Sequence, residues 1–140
     1  MNATIEVEVG MTTKRILIVD DEVHVREVVQ TCLETLGGWN VLSAASGREG
    51  LVRAEVEQPN AILLDVMMPG MDGFAFLRQL RANSATQDIP VVLLTAMAYR
   101  FNQQQLTELG VQTAIAKPFN PLLLIDEIAL ALGWSLEKPN

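Results

Sequence analysis

The side chains with the clearest chemical content are acids that close apolar runs. Ala61 to Gly73 reads AILLDVMMPGMDG, a solid apolar run that stops at Asp65 and then breaks into Pro-Gly and Asp-Gly turn signals. Lys14 to Glu22 reads KRILIVDDE, an apolar run ending in Asp20 and Asp21 with Glu22 behind them. Carboxylates crowded together repel and raise one another's pKa unless something positive sits among them. A hard divalent cation is the economical partner, since Mg²⁺ takes oxygen ligands, tolerates one or two carboxylates and keeps waters for an incoming phosphate. Each acid also has a plainer reading. Asp65 can simply start a turn, and Asp20, Asp21 and Glu22 can be an N-cap with first-turn acids, where the helix dipole favours negative charge. Both readings of the triplet hold at once if Asp21 is a metal ligand and Glu22 an ordinary first-turn acid.

What must position these acids is a parallel sheet. A short all-apolar run bounded by turn residues is the pattern of a central parallel strand, covered by helices on both faces. Asp65 and the Asp20-Asp21 pair then stand at the carboxyl ends of strands, the edge at which open α/β sheets bind ligands. If the two strands are neighbours, their acidic ends converge. After Asp21, the residues Val25, Val28, Val29, Cys32, Leu33 and Leu36 recur at three- and four-residue steps up to Gly37-Gly38, which predicts an amphipathic helix with a glycine stop. Trp39 to Ala44 reads as the second strand. Ser46 caps a helix carrying Leu51, Val52, Ala54 and Val56, and Phe74, Leu77 and Leu80 mark a third helix. Pro90 opens VVLL, a strand ending at Thr95. A fourth helix is expected from about Tyr99 to Leu109, with Asn102 to Gln105 as its polar surface and Gly110 as its C-cap. Thr113 to Ala116 is the fifth strand, and Asn120-Pro121 starts the last helix. Strands alternating with helices through right-handed crossovers give a doubly wound parallel sheet.

The ordered set Asp20-Asp21 after ILIV, Asp65 in LLDVMMPGMDG, Thr95 in VVLLTA and Lys117 in IAKPF resembles the receiver domain of the bacterial two-component response regulators, from about Lys14 to Leu132. The resemblance implies a flavodoxin-like (βα)5 fold with strand order 2-1-3-4-5, and Asp65 as acceptor of a phosphoryl group from a histidine kinase or histidine phosphotransfer protein. It implies Mg²⁺ held by Asp21, by Asp20 through water, by Asp65 and by the backbone carbonyl of Met67. Lys117 would pair with Asp65 and then with a phosphoryl oxygen, the Thr95 hydroxyl would bond another, and Pro118 would follow a cis peptide that aims Lys117 inward. Met67 and Met97 fall where family members flank the path of the attacking water, and neither side chain can orient or deprotonate it. One position departs from the pattern. Family members often carry Tyr or Phe three residues before the strand-five lysine, and here that residue is Ala114, which has no rotamer to switch.

With 140 residues the chain is one ordinary domain, and a hydrophobic fraction of 49% excludes disorder. Its apolar runs are far shorter than a membrane span and its start lacks the order of a signal peptide, so the expectation is cytoplasmic, with no membrane association. A net charge of −7, with 10 Lys plus Arg scattered along the chain, argues against direct nucleic-acid binding. Cys32 reads as core packing and His24 as a solvated first-turn residue. The expected divisions are an extension over 1–13, where Ile5, Val7 and Val9 alternate with acids in a frayed segment, the receiver over 14–132 and a tail over 133–140. Met11 is a candidate for an alternative translation start.

The chain ends soon after Leu132, so an effect is expected to pass to a protein partner or onward as a phosphoryl group. The last helix, PLLLIDEIALAL, is apolar on most of its circumference, and such a helix is normally buried on more than one side. With Leu124, Ile128, Ala131 and Leu132 covering the sheet, Leu122, Ile125 and Ala129 are expected to face outward beside Leu123 and Leu130. Phe101 and Ala114 would extend that surface, and a two-fold homodimer through this helix is the simplest closed solution. Two other function classes are weighed. A phosphorylation-independent receiver-like interaction module is favoured by Ala114 and opposed by the complete acid set with Lys117. A Mg²⁺-dependent phosphatase is disfavoured because Met67 stands two residues after Asp65, where such enzymes place a second acid, so no turnover of an external substrate is expected.

Overall fold

In the computed structural model, which describes residues 13–68 and 70–136, the apolar runs become five parallel strands. They are β1 (Arg15–Val19), β2 (Asn40–Ala44), β3 (Ala61–Leu64), β4 (Val91–Thr95) and β5 (Thr113–Ala116), in the order β2-β1-β3-β4-β5. Five α-helices connect and follow them: α1 (Val23–Thr35), α2 (Gly47–Glu57), α3 (Gly73–Ala82), α4 (Gln103–Leu109) and α5 (Pro121–Leu132). Side chains alternate across a strand, and here both faces are covered. Ile16, Ile18, Leu63, Val92 and Ile115 pack with Val29 and Leu33 of α1 and Leu124 and Ile128 of α5. Leu17, Val19, Ile62, Leu64 and Leu93 pack with Ala54 of α2, Phe76 and Leu80 of α3 and Leu106 of α4. Burying an Ile or Leu side chain contributes about 1.5–3 kcal/mol, so the fully buried β3 is held on both faces at the centre of the sheet. The flavodoxin-like topology implied by the receiver resemblance is therefore the observed one. The alternating segment at Ile5, Val7 and Val9, and Met11, lie outside the described residues.

Helix boundaries differ from the sequence reading where local caps decide them. The fourth helix does not run from Tyr99. A 3₁₀ turn at Ala98–Arg100 is followed by extended residues, and α4 begins at Gln103. The Asn102 side chain accepts from the Gln105 amide at 2.8 Å while the Gln105 side chain accepts from the Asn102 amide at 2.9 Å, a reciprocal capping box that fixes the start. β2 begins at Asn40 because the Trp39 amide donates to the Leu33 carbonyl at 3.2 Å, closing the end of α1. α1 buries a narrower stripe than its apolar spacing suggested: Val29 and Leu33 are buried, Val25 and Cys32 are partly covered, and Val28 and Leu36 are exposed.

The last helix corrects the expected interface. Ile125 and Ala129, read as outward-facing, are 5% and 3% exposed. The reason lies in α1, which runs beside α5. A Cβ on Gly37 would stand 3.1 Å from the Ile125 Cδ1 atom, so the bare glycine leaves room for Ile125 against the end of α1. Ile125 and Ala129 thus complete a second packing stripe beside Leu124 and Ile128. Leu122, Leu123 and Leu130 do face solvent, while Phe101 and Ala114 pack half-buried against the core on the opposite face of the sheet. Ala131 and Leu132 are only partly covered. Beyond α5 the chain folds back: the Trp134 amide donates to the Ala129 carbonyl at 2.8 Å, its ring meets Trp39 edge-on at 5.1 Å, and Lys14 lies 5.3 Å over the Trp134 ring.

Candidate functional site

Strand register builds the site. Val19 of β1 pairs with Leu64 of β3, so the residues that follow, Asp20 and Asp65, leave the sheet side by side, stitched by the Asp65 amide donating to the Val19 carbonyl at 3.0 Å. Thr95 pairs with Ala116, and the Lys117 amide donates to the Thr95 carbonyl at 3.0 Å, bringing the lysine to the same edge. The Lys117–Pro118 peptide is cis. The loop leaving Asp65 returns at Gly73, whose amide donates to the Val66 carbonyl at 3.1 Å. A Cβ there would come within 2.3 Å of the Val66 Cα, which is why this turn requires glycine.

Lys117 is the hub. Its Nζ donates to Asp20 Oδ2 at 2.7 Å, to Glu22 Oε1 at 3.0 Å and to Asp65 Oδ2 at 3.3 Å. The sequence reading paired Lys117 with Asp65; that contact is present but is the longest of the three. Glu22 is the residue sequence reasoning missed. Taken as an ordinary first-turn acid, it is the N-cap residue of α1, makes no side-chain cap bond and reaches back to Lys117 instead. Nothing in its type or spacing distinguishes that role.

Both oxygens of Asp20 are engaged, since Oδ1 accepts from the Glu22 amide at 2.8 Å. Asp65 Oδ1 accepts from the Met67 amide at 3.0 Å, and Thr95 Oγ accepts from the Met97 amide at 3.2 Å. The same i to i+2 turn therefore orients both side chains, and the Thr95 hydroxyl keeps its proton free to donate. The Met67 side chain is exposed and that of Met97 half-buried at the rim.

Electrostatics follow from the crowding. Burial raises the Asp65 pKa above the ordinary carboxylate value; the Met67 amide and the Lys117 charge oppose the rise, and the Asp20 charge adds to it. Burial alone would lower Lys117, but hydrogen bonds to Asp20 and Glu22 and the charges of Asp20 and Asp65 outweigh it, leaving the ammonium more firmly protonated than a free lysine.

Asp20, Asp21 and Asp65 each offer a carboxylate oxygen, all within 4.8 Å of one another. Asp21 is exposed and makes no side-chain hydrogen bond among the described residues. An all-oxygen, carboxylate-rich donor set with one solvent-facing member fits Mg²⁺, which prefers hard ligands and retains waters.

Comparison with known proteins agrees with this geometry. The profile of the response regulator receiver domain matches residues 16–129. The chain belongs to the response regulator receiver family. It is similar to the probable transcriptional regulator ycf27 of Cyanophora paradoxa, 41% identical over 108 residues, which is 77% of this chain and 44% of that protein. The receiver thus spans about half the length of the curated relatives it matches. Among solved structures, the chemotaxis response regulator CheY4 of Vibrio cholerae superposes with a TM-score of 0.77 at 32% identity, covering 86% of this chain and 99% of that one. The receiver domain of sensor histidine kinase PA1611 from Pseudomonas aeruginosa PAO1 gives 0.75 at 29% identity, covering 86% and 98%, and is described with a magnesium ion coordinated in its active site cleft. No helix among the described residues is long and apolar enough to cross a membrane.

Proposed function

We propose that this receiver is a phosphorylatable switch or relay in which Asp65 accepts a phosphoryl group from the phosphohistidine of a histidine kinase or histidine phosphotransfer protein. The observation that carries the reading is the buried meeting of Asp65, Asp20 and Lys117 at one sheet edge, with Lys117 bridging the two acids. A carboxylate oxygen of Asp65 attacks phosphorus as the P–N bond of the donor breaks, and the bonding pair returns to the imidazole. The moving group spreads negative charge over its equatorial oxygens, so the protein's task is positioning and neutralisation. Lys117 exchanges part of its contact with the acids for a phosphoryl oxygen. The Thr95 hydroxyl donates to another, while the Met67 amide holds Asp65 in place.

Asp20, Asp21, Asp65 and the Met67 carbonyl would hold Mg²⁺. Bound there, the ion supplies the positive charge that lets an anionic donor approach four acids. Met67 brings no acid or base two residues past Asp65, so this site serves one bound phosphoryl group and not turnover of an external substrate. The signal then passes to a protein partner or onward to another histidine. A small-molecule phosphodonor with Mg²⁺, read by intact mass, tests the assignment. One phosphoryl group is expected on the unmodified chain, and none on Asp65→Asn or in EDTA. Labelling retained in either case overturns it.

A further inference from the structure

Among the three clustered aspartates, Asp21 alone has a side chain with no hydrogen bond among the described residues. Its direction must therefore come from the backbone. The Asp20 amide is anchored on the Ala44 carbonyl at 3.1 Å. From the other side Arg26, one turn into α1, donates from Nη1 to the Asp20 carbonyl at 2.7 Å in a half-buried contact. The Arg26 amide is itself bonded to the Glu22 carbonyl at 3.1 Å, which fixes the base of the side chain. Because a peptide group is planar, holding the Asp20 carbonyl oxygen holds the whole Asp20–Asp21 unit, and with it the direction in which Asp21 leaves the turn.

We propose that Arg26 is a positioning residue for the divalent-cation site: its guanidinium, clamped on the Asp20 carbonyl, sets the peptide that presents the Asp21 carboxylate beside Asp20 and Asp65. This rests on the Mg²⁺ reading above and deepens it. Groups that orient metal ligands without touching the metal commonly control affinity about 10–100-fold. The sign of the effect separates positioning from simple charge. Arg26 is a cation beside a cation site, so as a charge alone it repels Mg²⁺ and its removal tightens binding. As a clamp, its removal weakens binding.

The test is calorimetric titration of the intact chain with MgCl₂, with urea unfolding in EDTA to follow the metal-free fold. Arg26→Met is expected to bind Mg²⁺ about tenfold more weakly than the unmodified chain, and Arg26→Lys, which keeps a charged donor, to stay closer to it. Equal or tighter binding by Arg26→Met overturns the proposal. Should that variant fail to fold, Arg26→Gln decides, since its neutral, shorter donor predicts an intermediate loss and equal or tighter binding again refutes the clamp. An unmodified chain that takes up no Mg²⁺ overturns the reading of the site itself.

Discussion

Replacing Lys117 with Met removes the ammonium shared by Asp20, Glu22 and Asp65 while keeping much of the side chain's bulk. Glu22 is 59% exposed, so its share in the pairing is worth at most about 1 kcal/mol. Asp20 and Asp65 are different, with side chains 2% and 4% exposed and Lys117 itself only 12% exposed. Removing one partner of a buried pair strands the other charge and costs about 3–5 kcal/mol. Here two acids are stranded, but Asp65 can take a proton and solvent can enter, so a loss of about 3 kcal/mol near neutral pH is expected. The loss should shrink on acidification. Asp65 already binds its proton more tightly folded than unfolded, so the fold is favoured on the acid side and this contribution is lost as pH rises through the raised value. Without Lys117 the value rises further and the dependence steepens. The stabilisation by Lys117 in the unmodified chain is complete below its ordinary value of 10.5 and is lost only in strong alkali. Mg²⁺ can replace the missing cation, and at ten times its Kd it restores about 1.4 kcal/mol by mass action. Urea unfolding read by tryptophan fluorescence and circular dichroism, with and without Mg²⁺, measures all of this. A loss below about 1 kcal/mol, or one that Mg²⁺ leaves untouched, would refute the account of Lys117 as the counter-charge of a buried acid pair.

Asp65→Asn should act in the opposite direction in EDTA: it removes a buried like charge beside Asp20, and thermal unfolding near neutral pH should show a gain of about 1 kcal/mol that fades as pH falls. A destabilised Asn variant would contradict the raised Asp65 pKa. Met67→Glu should shorten the lifetime of the phosphorylated form in an intact-mass time course, because a carboxylate at the rim can orient and deprotonate water where the thioether cannot; an equal or longer lifetime counts against that role. Ile125→Glu buries a charge between α5 and α1 and should cost more than about 3 kcal/mol. Leu130→Glu, on the exposed face, should stay within about 0.5 kcal/mol and abolish any concentration-dependent association seen by light scattering. Association that survives Leu130→Glu would exclude that face as the contact.

The strand ends were legible in the sequence because Asp20, Asp65 and Lys117 each follow directly on a short apolar strand, and a parallel sheet leaves such strands little choice of direction. The order in which Lys117 ranks its partners was not legible, since it depends on the Val19 to Leu64 register and on rotamers that no spacing encodes. Glu22 was hidden for a related reason: an acid directly before a helix has the same signature whether it caps, solvates or reaches across. Two misreadings had visible signals. Asn102 followed three residues later by Gln105 is a capping box, and taking the pair as helix surface moved the start of α4. The last helix was harder. A sequence apolar on nearly every side carries no preferred stripe, so Ile125 and Ala129 could be placed only by their neighbour, and the clue was the missing Cβ of Gly37 in the turn that ends α1.

The site is held in a state the fold by itself does not favour. Asp20, Glu22 and Asp65 share one ammonium, with the Asp21 carboxylate close to Asp20 and Asp65, and burial holds the Asp65 pKa above the ordinary carboxylate value, so its charge is under-compensated where it stands. Arg26, beside them, spends its charge on the Asp20 backbone carbonyl. Such an arrangement lowers stability locally, which is the usual position of functional residues. It also makes the edge responsive. On the proposed function, a divalent cation would relieve the repulsion among the acids, and an arriving phosphoryl group would give Lys117 and the unspent Thr95 proton new acceptors. Each event changes the partners of residues that continue directly from β1, β3, β4 and β5. With Ala114 in place of an aromatic ring, the structure offers no large side chain at that position to carry the change outward. The groups free to carry it are the Thr95–Met97 turn and the 3₁₀ segment Ala98–Arg100. That segment's Tyr99 is already exposed to solvent, and its Arg100 amide is held only by the Met97 carbonyl at 2.9 Å among the described residues. On the proposed function, the readout of phosphorylation would then be a backbone rearrangement between β4 and α4, beginning where the Thr95 hydroxyl turns its free proton toward the phosphoryl group.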